Sequence, residues 1–193
     1  MLGYYVFAGP AQAGISPGRG RGLQVSRALT LAQVPVEPEG YRMERYRAPV
    51  PATLRGATVI STARARRLWE SGAIFVDVLP RPPKPAGLPE GTVWRDRPRY
   101  DIPGGVWLPN VGYGALNPKV EAYFRDNLAR LTGGDKNARL VIYCKANCWM
   151  SWNAAKRALS YGYTQVFWYP EGTGGWQAEG GELRETAPVP MAP

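Results

Sequence analysis

A chain of 193 residues with 45% apolar side chains is long enough for one domain with tails and apolar enough for one core. Its net charge of +9 fits an anionic partner or simple solubility. No basic face interleaved with aromatics accompanies that charge, so nucleic acid is not an expected partner. The sequence has no histidine, which excludes Cys–His pairs, Ser–His–Asp triads and most zinc sites, so any nucleophile must be activated by other means.

Residues 1–36 contain no acidic residue, are rich in Gly, Ala and Pro, and show no sustained period; they read as poorly ordered. Ala11-Gln12-Ala13 has the form of a small-x-small cleavage site but no cation precedes it, and the apolar stretch after Arg27 is too short for an export signal. Export is left open by these residues. Residues 1–55 carry seven Arg against three Glu, a charge of +4, so nearly half the excess lies outside the body. Tyr41 and Tyr46 stand between arginines and are followed by Pro49 and Pro51, the pattern of an extended arm packing aromatics onto a body.

The body is expected over 56–185. Thr58-Val59-Ile60 forms a short strand, and Ser61 or Thr62 caps a helix through Glu70 that Gly72 ends. Ile74 to Leu79 is an apolar run with one acid, Asp77, as in a buried parallel strand. A long Pro/Arg stretch from Pro80 to Pro103 follows, then a strand at Val106-Trp107-Leu108. Pro118 opens a helix with an apolar stripe of Val120, Phe124, Leu128 and Leu131, stopped by Gly133-Gly134. Arg139 to Tyr143 is a second buried strand, a helix runs from about Ser151 to Ser160, and Gln165 to Tyr169 is the last strand before a Gly-rich turn and Trp176. Residues 186–193 are a proline-rich tail. Strands alternating with helices at this spacing argue an α/β fold, a small, mostly parallel sheet flanked by helices.

In parallel sheets functional groups gather where a strand's carboxyl end meets the next helix. Cys144 stands there, at the end of Leu140-Val141-Ile142-Tyr143 and the start of the loop Cys144-Lys145-Ala146-Asn147-Cys148-Trp149-Met150-Ser151. Amides of such a loop bind an anion, and a thiolate is an anion. With Lys145 adjacent, the expectation is a lowered thiol pKa at Cys144.

These residues resemble the rhodanese-like (sulfurtransferase) domain over roughly 56–185. Val76-Asp77-Val78 is similar to the family's first core strand, and Asp101-Ile102-Pro103-Gly104-Gly105-Val106 to its His-Ile-Pro-Gly-Ala stretch with Asp for His. Tyr143-Cys144 followed by Ala154-Ala155 resembles the active-site loop and helix, and Phe167 to Gly172 with Trp176 the closing strand and turn. The resemblance implies a rhodanese fold and sulfur chemistry at Cys144. More narrowly, Cys144, Cys148 and Trp149 resemble the CXXCW subfamily associated with PQQ-dependent catabolism. That implies a periplasmic protein serving a PQQ-dependent dehydrogenase or its c-type cytochrome. Departures are plain: the loop lacks the usual Gly and Arg and runs one residue longer. The phosphatase relatives' arginine position is Met150, which argues against phosphatase chemistry.

Cys148 is a candidate resolving thiol for a persulfide or sulfenate on Cys144, or else a static disulfide partner or small buried residue. Cu(I) would suit Cys144, Cys148 and Met150, but no histidine supports it, and neither metal nor cofactor is expected. Lys145, Ala146, Asn147, Trp149, Met150 and Ser151 form the candidate substrate loop; Trp149 and Trp152 read as core or as a docking surface. Asp77 either orients the loop or bonds local backbone. The basic stretch with Arg81, Lys84, Arg95, Arg97 and Arg99 is either a solvated loop or an attraction for an anionic sulfur donor or acidic protein. The leading expectation is a carrier of sulfane sulfur as a Cys144 persulfide, with a donor and a thiol acceptor as partners. The rivals are a thiol-redox or protein-binding accessory module with little turnover, and an inactive scaffold.

Overall fold

The computed structural model describes residues 34–191 except 94 and 96. The expectation for residues 1–36 falls outside the described residues, apart from 34–36. Among the described residues no helix is long and apolar enough to cross a membrane.

Eleven elements follow in chain order among these residues: β1 (Thr58–Val59), α1 (Thr62–Glu70), β2 (Ile74–Asp77), β3 (Arg99–Asp101), β4 (Val106–Trp107), α2 (Pro118–Thr132), β5 (Leu140–Tyr143), α3 (Trp149–Ser160), β6 (Val166–Tyr169), α4 (Gly172–Ala178) and β7 (Arg184–Thr186). Five strands pair in the order β1-β6-β5-β2-β4, every pairing parallel. The central strand β5, Leu-Val-Ile-Tyr, is buried at all four positions, which is why it reads as a continuous apolar run with no alternation.

Period-two alternation along the strands separates two cores. Val76, Leu140, Ile142, Val166 and Trp168 face α2 and α3 together with Phe124, Leu128 and Trp152. Phe75, Val141, Tyr143 and Tyr169 face α1 and α4 with Leu68 and Trp176. Helices on both faces of a parallel five-stranded sheet make this the α/β architecture expected from the sequence. The same alternation carries Cys144, one step past β5, to the α3 side.

Helix boundaries follow the expected devices. Asn117 caps α2 by accepting from the Val120 amide at 2.9 Å, Pro118 takes the first turn, and Gly133 ends the helix at φ 60°. Three elements, β3, α4 and β7, are absent from the sequence reading. The Pro80–Pro103 stretch contains β3, which pairs antiparallel with β7, and the Gly-rich turn before Trp176 is the helix α4. Helix α3 also begins at Trp149, two residues earlier than the expected start near Ser151.

The arm ahead of β1 runs as a strap along α3. Asn153 accepts from the Arg42 amide and donates to the carbonyls of Arg42 and Gly112, each at 2.9 Å. Trp149 donates from its amide to the Tyr46 carbonyl at 2.9 Å and from its indole to Pro49 at 3.0 Å. Trp152 reaches the Thr53 carbonyl at 3.1 Å, and Lys156 reaches those of Pro38 and Glu39. An unpaired extended segment needs such side-chain donors to satisfy its carbonyls. At the other end, residues past β7 return to the sheet edge, where Val189 bonds Trp107 and Tyr123.

Candidate functional site

Two free thiols lie side by side at the carboxyl end of β5. Cys144 follows the strand and Cys148 is the N-cap of α3; both are buried. Lys145, Ala146 and Asn147 form an exposed crest over them. Asn147 turns the crest at φ 53°, a left-handed conformation that asparagine tolerates better than most residues. Behind the crest, the Cys144 carbonyl accepts the Thr173 amide at 3.0 Å, and Gly172 backs so closely onto that carbonyl that a Cβ there would collide with it. The first turn of α4 therefore pins the strand end that carries Cys144.

The electrostatics invert the sequence expectation. Burial pushes the Cys144 thiol well up, and hydrogen bonding to Cys148, the charge of Cys148 and that of Asp77 push it further, against the opposing Lys145 amide. Cys148 is the lowered thiol, at about 6. Hydrogen bonding from the Cys144 thiol lowers it most; burial opposes, and the Met150 amide together with the side chain and charge of Arg47 lower it further. The physical reason is position: Cys148 meets the free amides at a helix N-terminus and a cation, whereas Cys144 is enclosed by apolar strands. The surroundings thus favour Cys148 over Cys144 as the anionic member of the pair.

Beneath the thiols lies a second buried group. Arg99 donates to Asp77 at 2.6 Å and lies 3.9 Å from Asp101. Asp77 also accepts the Leu79 amide, at 2.9 Å. It bonds local backbone and Arg99, not the amides of the cysteine loop, and it acts on Cys144 through its charge. Asp101 accepts from Tyr143 and from the Ile102 amide, each at 2.8 Å, while its second oxygen and the Arg99 Nη2 atom lack hydrogen-bond partners. One cation thus faces two buried carboxyls. Burial pushes both up; Arg99 opposes this at Asp77, while Asp101, raised also by the charge of Asp77, stands at about 7.

A raised folded-state pKa means the fold prefers protonated Asp101. That contribution is fully present below the ordinary carboxylate range and is lost as pH rises through about 7. Asp101→Asn removes the charge and keeps the acceptor for Tyr143. It is expected to stabilise the protein at pH 8 by on the order of 1–3 kcal/mol, with the gain shrinking at pH 5. Urea unfolding of both proteins at the two pH values checks this.

A cleft of about 600 Å³ opens beside the loop, walled by Arg81, Arg97, Arg99, Lys145, Trp107 and Thr173 among others. The described residues of its wall include four cations and no carboxylate. The basic stretch of the sequence thus contributes Arg81, Arg97 and Arg99 to a concave wall that Lys145, the neighbour of Cys144 in sequence, also lines, while Lys84 lines a neighbouring cleft.

The remaining loop residues pack and hydrogen-bond against the strap and the sheet. Trp149 and Trp152 stack edge to face at 5.5 Å and anchor the strap through their indoles. Ser151 accepts from the Trp168 indole at 3.0 Å and donates to the Cys148 carbonyl at 2.9 Å. Met150 packs its backbone against Gly112. Sequence reasoning did not assign Arg47, Arg99 or Thr173 to the site. Arg99 and Arg47 were visible only as members of basic stretches, and Thr173 only as part of a Gly-rich turn.

Residues 94–179 match the family model of the Rhodanese-like domain. This stretch of the chain is similar to the rhodanese-like domain. No curated protein matches the sequence. Among solved structures, the chain is similar to a polysulfide-sulfur transferase homodimer from Wolinella succinogenes, with 19% identity, 68% of this chain and 81% of that chain covered, and a TM-score of 0.43. It is also similar to a Saccharomyces cerevisiae protein of uncharacterised role, with 21% identity, 64% and 93% covered and a TM-score of 0.39. A variant of EanB in complex with hercynine shares 22% identity over 74% of this chain and 34% of that one, with a TM-score of 0.45. The rhodanese-like assignment rests on the family match and the parallel topology, not on these distant likenesses.

Proposed function

We propose that this protein carries sulfane sulfur on the Cys144–Cys148 pair, with Cys144 as the atom that receives it. The observation supporting this reading is the pair of buried free thiols itself, set at a strand end beside a cationic cleft. An anionic donor enters the cleft. The Cys144 sulfur bonds the donor's outer sulfur while the Cys148 thiolate takes the Cys144 proton, and the donor's sulfur–sulfur bond breaks with its electron pair on the leaving group. In a chain without histidine, Cys148 is the base.

Two exits follow for the bound sulfur. An external thiolate attacks the outer sulfur and leaves with it, which regenerates Cys144. Alternatively the Cys148 thiolate attacks the Cys144 sulfur, hydrosulfide leaves, and a Cys144–Cys148 disulfide forms; the sulfane sulfur is reduced, the two cysteines are oxidised, and an external thiol must restore them. The second exit is also the basis of the alternative reading, a thiol-redox module acting on a partner protein with little sulfurtransferase turnover. The Cys…Cys-Trp loop supports placing the protein in the periplasm beside PQQ-dependent alcohol oxidation, with the dehydrogenase or its c-type cytochrome as the partner.

The test is intact-mass measurement after reduced protein meets thiosulfate, mercaptopyruvate or polysulfide. A gain of one sulfur atom, removed by added thiol, is expected. The rate of gain should rise with pH through about 6 as Cys148 ionises. No gain with any donor would refute sulfur carriage.

A further inference from the structure

We infer that Arg47, on the N-terminal strap, is a catalytic residue that holds Cys148 as the thiolate of the pair, in place of the arginine the cysteine loop lacks. This rests on the proposed role of Cys148 as base and resolving thiol, and assigns the group that makes that role available.

Geometry carries the assignment. Arg47 and Cys148 form an antiparallel bridge, and the next residue along α3, Trp149, donates its amide to the Tyr46 carbonyl at 2.9 Å. The strap is fixed at this register on both sides: Asn153 clamps Arg42, and the Trp149 and Trp152 indoles hold Pro49 and Thr53. Arg47 therefore cannot slide along the helix without breaking several bonds at once. Across that bridge Arg47, itself exposed, is the strap cation that acts on Cys148, through a side-chain hydrogen bond and its charge. Cys148 itself has almost no solvent exposure, 1%, so water contributes little to stabilising its charge, and a nearby cation has a larger effect than at an open surface.

The loop offers no cation of its own at this atom. Lys145 lies on the exposed crest beside Cys144 and lines the cleft, and the position where a loop arginine would stand is Met150. Arg47 is distant in sequence and lies outside the stretch that matches the family model. The site of this protein is thus completed by a segment ahead of the domain.

The experiment is an ultraviolet thiolate titration of the full reduced chain, which reads the ionised sulfur without needing access to it. Wild type should show a step near pH 6 that Cys148→Ser removes. Arg47→Ala should raise that midpoint by about one pH unit, and Arg47→Lys should restore most of it. Arg45→Ala, which removes an exposed neighbouring cation, should leave it unmoved. An unmoved midpoint in Arg47→Ala overturns the assignment. So does an equal rise in Arg47→Lys, which would make the effect one of strap packing and not of charge. The titration uses protein that has met no sulfur donor, so a failure of sulfur loading and a failure of Arg47 are read separately.

Discussion

Cys144→Ser is expected to abolish sulfur loading, with a loss of at least about 10³-fold in rate, because it removes the sulfur that receives the atom. Cys148→Ser should behave differently. It keeps the receiving sulfur but loses the base, so loading at pH 7 should slow by roughly 10²-fold, the usual contribution of a positioned base. Once loaded, it should hold its sulfur until an external thiol is added, since hydrosulfide release without one requires the second cysteine. Single-turnover mass measurements on the two variants separate these outcomes. Equal behaviour of the two would contradict the division of roles. The burial of both thiols makes the comparison informative: Cys144 is enclosed among apolar strands, whereas Cys148 meets an amide and a cation.

Arg99→Met is expected to cost about 3–5 kcal/mol of stability at pH 8, a fall of roughly 10 °C in Tm for a domain of this size. Arg99 and Asp77 are both buried and 2.6 Å apart, so deletion of the guanidinium leaves an uncompensated carboxylate among apolar side chains. Lowering the pH lets the carboxyls take up protons, so the loss should be smaller at pH 5. Loss of the cation near Cys144 should also slow sulfur loading. Thermal unfolding at the two pH values checks the stability claim. A variant as stable as wild type at pH 8 would mean that both carboxyls are already neutral there.

The parts of the fold that were legible in the sequence are those where composition and burial coincide. The apolar runs of β2 and β5 could only be buried strands, and Asn117, Pro118 and Gly133 mark the ends of α2 by conformational preferences that hold almost anywhere. β3 was not legible, because Arg-Tyr-Asp has no strand pattern of its own; it is a strand through pairing with β7 and through the pull of Asp77 on Arg99. Likewise α4 has three glycines in seven residues, a composition that reads as a turn. Its helix is held by the Cys144 carbonyl at its first turn and by Trp176 in the core.

The site divides in the same way. The position of Cys144 followed from local strand–loop–helix order. The location of the thiolate did not, because it depends on a segment distant in the chain. Lys145 is adjacent in sequence to Cys144, while Arg47, exposed as Lys145 is, meets Cys148 across the bridge made by the strap. Sequence adjacency thus pointed to Lys145 and a lowered thiol at Cys144, whereas the lowered thiol is Cys148. The buried Asp77–Arg99–Asp101 group was equally hidden, since Arg99 read as one more charge in a basic stretch. Its role as a partner for two carboxyls depends on β3 lying against the end of β2.

The central claim is that the pair carries sulfur on Cys144. The most direct measurement is peptide-resolved mass analysis of wild-type protein, reduced, exposed to a single equivalent of polysulfide and quenched by alkylation. The account predicts one added sulfur on the peptide bearing Cys144 at early times, then a Cys144–Cys148 disulfide appearing together with an equal amount of hydrosulfide. Added sulfur found only on Cys148, or a disulfide formed without hydrosulfide release, would contradict it.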